Sequence, residues 1–402
     1  MNDFGHEGGG TIRMQGIMNE LSKNGQEVIF ISNTKKQYLF ENRIQHIFID
    51  FPFSKKDKKI FQGVLGTLTM SLIKTKYSAL FNRLNEIFKD EFDKEPIYFF
   101  EYLDNSIGYC LKSQKIIKEY INDLHGVATL EFKFQANQAK SIKANIKYNI
   151  KYYISKLLDR KVFNNAKSLI FPSQALKDYF CSQYPKVKLK NNYILPYVLS
   201  SEAITDGVNQ ELKEELVLKY NIMPDEKIIF FAGSLKKTGG VPDLIKAFSN
   251  IVSEYNTRLL IVGDGINMDE CLATVKQMKL SKKVVFIGRI PYHHLKAYQD
   301  LATIIVCPDK QNVYSELIVH VKYLDALLSG KIVINGSFKS VKEINIDESL
   351  SINFKPSDVK SLSVSLKYCL DNLEKLEHKY RDNKQYVKEN LTYASHIKVL
   401  IN

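Results

Sequence analysis

A chain of 402 residues is long enough for two or three domains, each with a full core, and 45% hydrophobic with 25% charged residues is the composition of an ordinary globular protein. No apolar run approaches the roughly 18 residues that cross a bilayer, and the N-terminus lacks the basic-then-apolar order of a signal peptide, so a cytoplasmic protein is expected. Cys110, Cys181, Cys271, Cys307 and Cys369 are scattered without a Cys-x-x-Cys pair, which sets aside zinc and a disulfide framework, while a net charge of +13 favours an anionic partner: nucleic acid, a phosphorylated metabolite or an anionic membrane surface.

In chain order, Gly8, Gly9 and Gly10 permit a tight turn and close approach to the backbone. Ile12, Met14, Ile17, Met18 and Leu21 then line one side of a helix that Gly25 stops, and strands follow at Glu27 to Ser32 and Ile44 to Asp50. The Lys-rich segment 54–92 is mostly helical in pattern. Strands are expected at Ile97 to Glu101 and Lys118 to Asp123, the second running into Leu124, His125 and Gly126. A histidine at a strand's C-terminal end, followed by glycine, suits a cleft-facing polar role, with a surface loop histidine as the rival reading.

Between Phe132 and Lys161, Lys140, Lys143, Lys147 and Lys151 recur on one stripe and Ile142, Ile146, Ile150, Ile154 and Leu157 on another, with Tyr148, Tyr152 and Tyr153 among them. Such a helix can lie on an anionic membrane with its tyrosines at the interface. The other reading packs the apolar stripe on the N-terminal sheet and leaves the lysines in water, and inside a folded domain that packing is the expectation. A nucleic-acid surface would use similar chemistry, but no binding module is recognisable, so nucleic acid is not expected as a partner.

A strand at Ala166 to Ser173 and a helix from Gln174 close the first half, and a polar stretch from about 199 to 225 suits an interdomain connection. In the second half, strands at Lys227 to Ala232, Arg258 to Gly263, Val284 to Gly288, Thr303 to Cys307 and Lys331 to Asn335 alternate with helices near 242–254, 267–279, 292–300 and 316–329. That alternation predicts a doubly wound parallel sheet. Gly263-Asp264-Gly265 lacks the third glycine of a dinucleotide fingerprint, which argues against a nicotinamide oxidoreductase. The stretch from Tyr314 to Lys331 follows the strand ending at Pro308-Asp309, with Ser315 as candidate N-cap and Gly330 as the stop. A helix opening past the end of a parallel strand aims its free N–H groups at an anion, and Lys322 and Asp325 share its face. Helices at Asp358 to Asn372 and Leu376 to Asn390 end the chain.

Taken together, these segments resemble the GT-B glycosyltransferases, specifically glycosyltransferase family 4. Lys322 to Lys331 resembles the family's K-x-x-E/D-x-x-x-x-G-K helix, Gly8 to Arg13 its Gly-Gly-x-x-x-Arg opening, Asp123 to Gly126 its D-x-H-G, Ile261 to Gly265 its I-V-G-D-G, and Gly233 to Gly240 its diphosphate loop. The resemblance implies an α/β fold of GT-B type, with two Rossmann-like doubly wound parallel-sheet domains facing across a cleft. The implied division is an acceptor-side domain over 1–198, a nucleotide-sugar domain over 199–375, and a helix over 376–402 crossing back. It implies transfer of a sugar from a nucleotide-sugar to a saccharide or lipid-linked saccharide acceptor hydroxyl, with retention and without a metal or other cofactor, in surface polysaccharide or glycolipid synthesis.

By the same resemblance Asp325 holds the ribose and the helix start near Ser315 and Glu316, with Lys322, holds the diphosphate. Lys236, Lys237, Gly233, Ser234 and Gly263 line the donor, Gly8, Gly9 and Gly10 its acceptor side, and His125 and Glu316 act on the donor sugar. Three departures accompany it. Ser234 and Gly239 stand where many relatives carry Arg and Lys, Leu317 stands where they carry Glu, and only Met1 to Phe4 precede the glycines where the family has a buried first strand. The departures keep open a degenerate relative that binds nucleotide-sugar, or stabilises a partner, without turnover.

Overall fold

Helix Gly9–Lys23 forms where apolar residues recur at helical spacing, and it buries Met14 and Met18 against Phe30 of strand β1 (Val28–Ser32). The structure is a computed structural model that describes residues 9–32, 43–50, 77–91, 97–99, 102–124, 126–199, 209–313 and 315–401. Gly8, His125, Tyr314, residues 1–4 and residues 54–76 of the Lys-rich segment therefore lie outside the described residues. The chain divides into Met1–Ser200 with His396–Asn402, and Ser201–Ser395.

In the first unit, β2 (Ile44–Phe48) pairs with β1 in parallel. Strands β3 (Tyr98–Phe99), β4 (Ile121–Asp123), β5 (Ser168–Phe171) and β6 (Tyr193–Ile194) form a separate parallel sheet in that order. Among the described residues no strand joins the two sheets. A buried ion pair bridges them instead. Arg13, on the helix that covers β1, donates from Nε and Nη2 to the two carboxylate oxygens of Asp123 at 2.7 Å each, at the end of β4. Its Nη1 donates to the Pro196 carbonyl at 3.0 Å, and the guanidinium lies 5.0 Å from the Tyr197 ring centroid. All five donors cannot find water at 0% exposure, so the fork geometry that matches a carboxylate is what makes this burial tolerable.

Helices Ala128–Asn137 and Ile142–Asn165 pack together, and Ser141 caps the second by accepting from the Ala144 amide. Asn145 Nδ2 donates to the Ala136 carbonyl at 2.9 Å, and Lys133 lies over the Tyr152 ring. The buried face is Ser155, Leu158, Asp159, Val162 and Phe163. This corrects the expected packing of the apolar stripe: Ile142 is 82% exposed, Ile146 53%, Ile150 54%, Tyr153 62% and Leu157 56%. The residues that meet the rest of the unit lie on the helix's other side and mostly in its second half, where aromatic partners Phe180 and Tyr184 close on Phe163.

Among its described residues the second unit holds one six-stranded sheet. Its strands are β7 (Lys227–Ala232), β8 (Thr257–Val262), β9 (Val284–Gly288), β10 (Ile304–Cys307), β11 (Ile332–Gly336) and β12 (Ile352–Phe354), in the order β12-β11-β10-β7-β8-β9 and parallel throughout. Continuous β-branched and aromatic runs fit strands covered on both faces, and Ile229, Phe231, Ile261, Val306 and Ile334 are fully or almost fully buried. β12 completes the sheet beyond the five strands expected. The final helical stretch is two helices, Leu373–Tyr380 and Asn383–Asn390, not one beginning at Leu376.

The chain runs β7, β8, β9 outward in one direction and returns to β10 beside β7. The strand order therefore reverses between β7 and β10, the position at which an open parallel sheet takes a ligand beyond its C-terminal strand ends.

Candidate functional site

Three loops meet at that reversal, and glycines make the approach possible. Gly233, with φ +154°, passes so close to Gly263 that a Cβ on Gly263 would lie 1.9 Å from the Gly233 carbonyl oxygen. Gly240, in the left-handed region at φ +69°, abuts the Pro308 carbonyl, where a Cβ would meet oxygen at 1.7 Å. Backbone hydrogen bonds fix the contacts: Leu235 N donates to Asp264 O at 3.0 Å, and Lys310 N donates to Thr238 O at 2.8 Å. Ser234, Lys236 and Lys237 stand exposed on the first of these loops.

The helix after β10 begins later than its sequence suggests. It is Val321–Leu328, with His320 at the N-cap, and Gly330 at φ +70° ends it as expected. Ser315 is not its cap. Ser315 is fully buried, its amide donates to Asn312 Oδ1 at 2.9 Å, and its Oγ accepts from Asn312 Nδ2 at 2.7 Å. That side chain–backbone exchange holds a turn, and the β-branched pair Ile318 and Val319 that follows disfavours helix until Val321. Glu316 is also engaged: one carboxylate oxygen accepts from Gln311, and the other accepts from the Lys339 amide at 2.9 Å, at the start of the short helix Lys339–Lys342. Leu317 is buried and offers no polar group.

Lys322 and Asp325 do sit on the first turns of the helix. The Lys322 stem lies against Gly233, and its ammonium is 5.3 Å from the Phe231 ring centroid, which brings the β7 and β10 loops to one cation. That ammonium also donates to Asp309 at 2.8 Å, and His320 Nδ1 donates to Asp309 Oδ2 at 3.1 Å. Burial would push the Asp309 carboxyl up, but Lys322 and His320 outweigh it and hold it well below the usual carboxylate range. Asp325 faces the opposite balance: burial pushes its carboxyl up to about 6, against the pull of Tyr292, whose hydroxyl donates to Asp325 Oδ1 at 2.8 Å.

Chemically, the site presents one buried acid that accepts hydroxyl donors, one lysine at a helix start, uncapped helical N–H groups, and an exposed Ser and Lys-rich loop. That set fits a diol at Asp325 and an anion at the helix start. Among the described residues no group of three His, Cys, Asp or Glu side chains is placed to hold a metal ion. Gly9 and Gly10 form the first turn of helix Gly9–Lys23 in the other unit. Asp309, His320 and Tyr292 were not expected from sequence. Asp309 had a readable signal, an acid two residues past the C-terminal end of a parallel strand, whereas Tyr292 is brought to Asp325 by the 3-10 turn Tyr292–His294.

Residues 213–386 match the family described as glycosyl transferases group 1. An uncharacterized glycosyltransferase of Methanocaldococcus jannaschii is 26% identical over 240 residues, covering 58% of this chain and 58% of that protein. The match thus spans little more than half the length of that relative. Sucrose-phosphate synthase from Thermosynechococcus elongatus superposes with a TM-score of 0.72 at 16% identity, covering 98% of this chain and 92% of that one. The Anabaena protein HepE in complex with UDP superposes with a TM-score of 0.67 at 12% identity, covering 94% and 98%. These likenesses establish the fold as that of the GT-B proteins.

Proposed function

We propose, from the match of residues 213–386 to the glycosyl transferases group 1 family, that the chain transfers a sugar from a nucleotide-sugar to an acceptor hydroxyl. One observation carries the reading. Lys322 and Asp325, on the first turns of one helix, stand at the reversal of strand order where the Gly233 loop crosses, which is where a parallel sheet holds a phosphorylated ligand. In this reading Asp325 accepts from the ribose hydroxyls, displacing the Tyr292 hydroxyl. The amides at Val321 and Lys322, with the Lys322 ammonium and the exposed Lys236 and Lys237, meet the diphosphate.

During transfer the anomeric C–O bond to the diphosphate breaks and a bond to the acceptor oxygen forms on the same face. The acceptor's proton passes to a diphosphate oxygen. Helix dipole and lysines then stabilise the leaving group where a metal would otherwise do so. His125 and Glu316 keep the roles toward the donor sugar that the sequence resemblance implies, with Gly8, Gly9 and Gly10 on the acceptor side, in a cytoplasmic reaction on a saccharide or lipid-linked saccharide. The UDP held by the HepE neighbour supports a nucleoside diphosphate as the common element of the donor.

A second reading, binding without turnover, is favoured by two contacts: the Glu316 carboxylate is taken up by Gln311 and the Lys339 amide, and Asp309 neutralises Lys322. A panel of nucleotide-sugars offered with and without saccharide and lipid-linked saccharide acceptors separates the two. Acceptor-dependent release of nucleoside diphosphate is the expected result, and binding with no release across the panel selects the second reading.

A further inference from the structure

Helix Ile142–Asn165 carries a feature that glycosyl transfer does not use. Its five exposed apolar residues recur at intervals of four, four, three and four positions, so Ile142, Ile146, Ile150, Tyr153 and Leu157 fall within about 80° of arc and extend over about 22 Å of the helix axis. Exposed Ile and Leu in a continuous stripe are costly in water, and the stripe is not interrupted by any acid. The helix's one carboxylate, Asp159, is on the buried face and accepts from the Tyr184 hydroxyl at 3.0 Å. Basic residues border the stripe: Lys143, Lys147 and Lys161 on one side, Arg160 near its far end, and Lys140 just before the helix, all exposed.

We propose that this helix docks the N-terminal unit onto an anionic lipid bilayer, with the stripe lying in the plane of the interface at the headgroup–acyl boundary and the lysines on lipid phosphates. The helix lies on the membrane and does not cross it: no helix among the described residues is long and apolar enough to span. Charge complementarity selects this occupant. A second copy would bring two lysine borders together, and a nucleic acid would leave aliphatic Ile142, Ile146, Ile150 and Leu157 without bases to stack on, whereas an anionic bilayer supplies both an apolar layer and phosphates in the same order.

The test is flotation of the full chain with vesicles of phosphatidylcholine alone and of phosphatidylcholine mixed equally with phosphatidylglycerol. The chain is expected to float with the mixed vesicles only, and to be released by high salt. Ile146→Asp with Ile150→Asp, on a face that no core packing needs, should abolish flotation while circular dichroism stays unchanged. Lys143→Gln with Lys147→Gln should weaken partitioning roughly tenfold, whereas Ile146→Leu with Ile150→Leu, which keeps the stripe apolar, should float like the wild type. Equal flotation of the wild type with both vesicle types overturns the proposal, as does full binding by both the Asp and the Gln variants. A wild-type dimer in sedimentation velocity that the Asp variant converts to monomer, with no vesicle binding by either, also overturns it and makes the stripe an interface between copies.

Discussion

Two clusters of opposite charge, one in each unit, differ in what surrounds them. Arg13 and Asp123 are both at 0% side-chain exposure, held by two short bonds between them, a third from Arg13 to the Pro196 carbonyl, and the Tyr197 ring beside the guanidinium. Lys322, Asp309 and His320 keep 20%, 7% and 24%, so the cluster is held by the fold yet still open at the lysine and the imidazole. The first is closed and ties a helix to a sheet that, among the described residues, shares no strand with its neighbour. The second stands at the C-terminal ends of β7 and β10, where an incoming anion can compete with Asp309 for the ammonium. Burial alone does not mark function; a charge that is held but still reachable does.

The contrast breaks first at Arg13. Arg13→Met should cost about 3–5 kcal/mol, because Asp123 is left buried without its partner. Urea unfolding followed in the N-terminal unit reads this as an early transition, with nucleoside diphosphate binding by the C-terminal unit preserved. An unchanged midpoint would show that the pair carries no structural load.

Lys322 comes next. Lys322→Met should weaken nucleoside diphosphate binding on the order of tenfold to a hundredfold and also destabilise, since Asp309 keeps only His320. Adding Asp309→Asn should recover the stability and not the affinity. Recovery of both in titration calorimetry would make the lysine a structural residue only.

A smaller effect is expected at Asp325. With its carboxyl at about 6, the ionised acceptor forms as pH rises from 5 to 7, and donor affinity should rise with it. Asp325→Asn should bind roughly tenfold more weakly above pH 7 and lose that part of the pH dependence. Folding stability runs the other way: the raised carboxyl contributes fully below the ordinary value of about 4, and its contribution is lost as pH climbs through 6. Parallel affinity profiles for the two proteins would remove Asp325 from the ribose site.

The smallest effect is at Asp159, whose carboxyl burial pushes up to about 7. Asp159→Asn keeps an acceptor for Tyr184 and removes the need to bury a charge. Its melting temperature should match the wild type near pH 4 and exceed it at pH 8. A difference of the opposite sign would mean that the carboxylate is stabilised where it lies.

Much of the second unit was legible because its signals are local. The runs at β7 to β11, glycines at 233, 240, 263 and 330, and the placing of Lys322 and Asp325 on one helix face follow from periodicity and backbone freedom within a dozen residues. Less was legible at the start of that helix. Ser315 has the chemistry of an N-cap, but Asn312 takes both its amide and its hydroxyl, and Glu316 is drawn to the Lys339 amide, a partner distant in sequence. Capping propensity says only what a residue can accept, and competing donors three or twenty-three positions away decide where it does.

The sequence by itself determined the alternation of strands and helices, the parallel sheet of the second unit, the amphipathic character of Ile142–Asn165, and the acid and cation of the candidate site. Only the tertiary structure decided which stripe of that helix faces solvent, that Asp123 belongs to Arg13 and Asp309 to Lys322, and that the described strands of the first unit fall into two sheets. The reason is physical. Periodicity specifies that a face is apolar, but what covers it, and which opposite charge lies within hydrogen-bond reach, depends on segments tens to more than a hundred residues away that meet only when the chain folds.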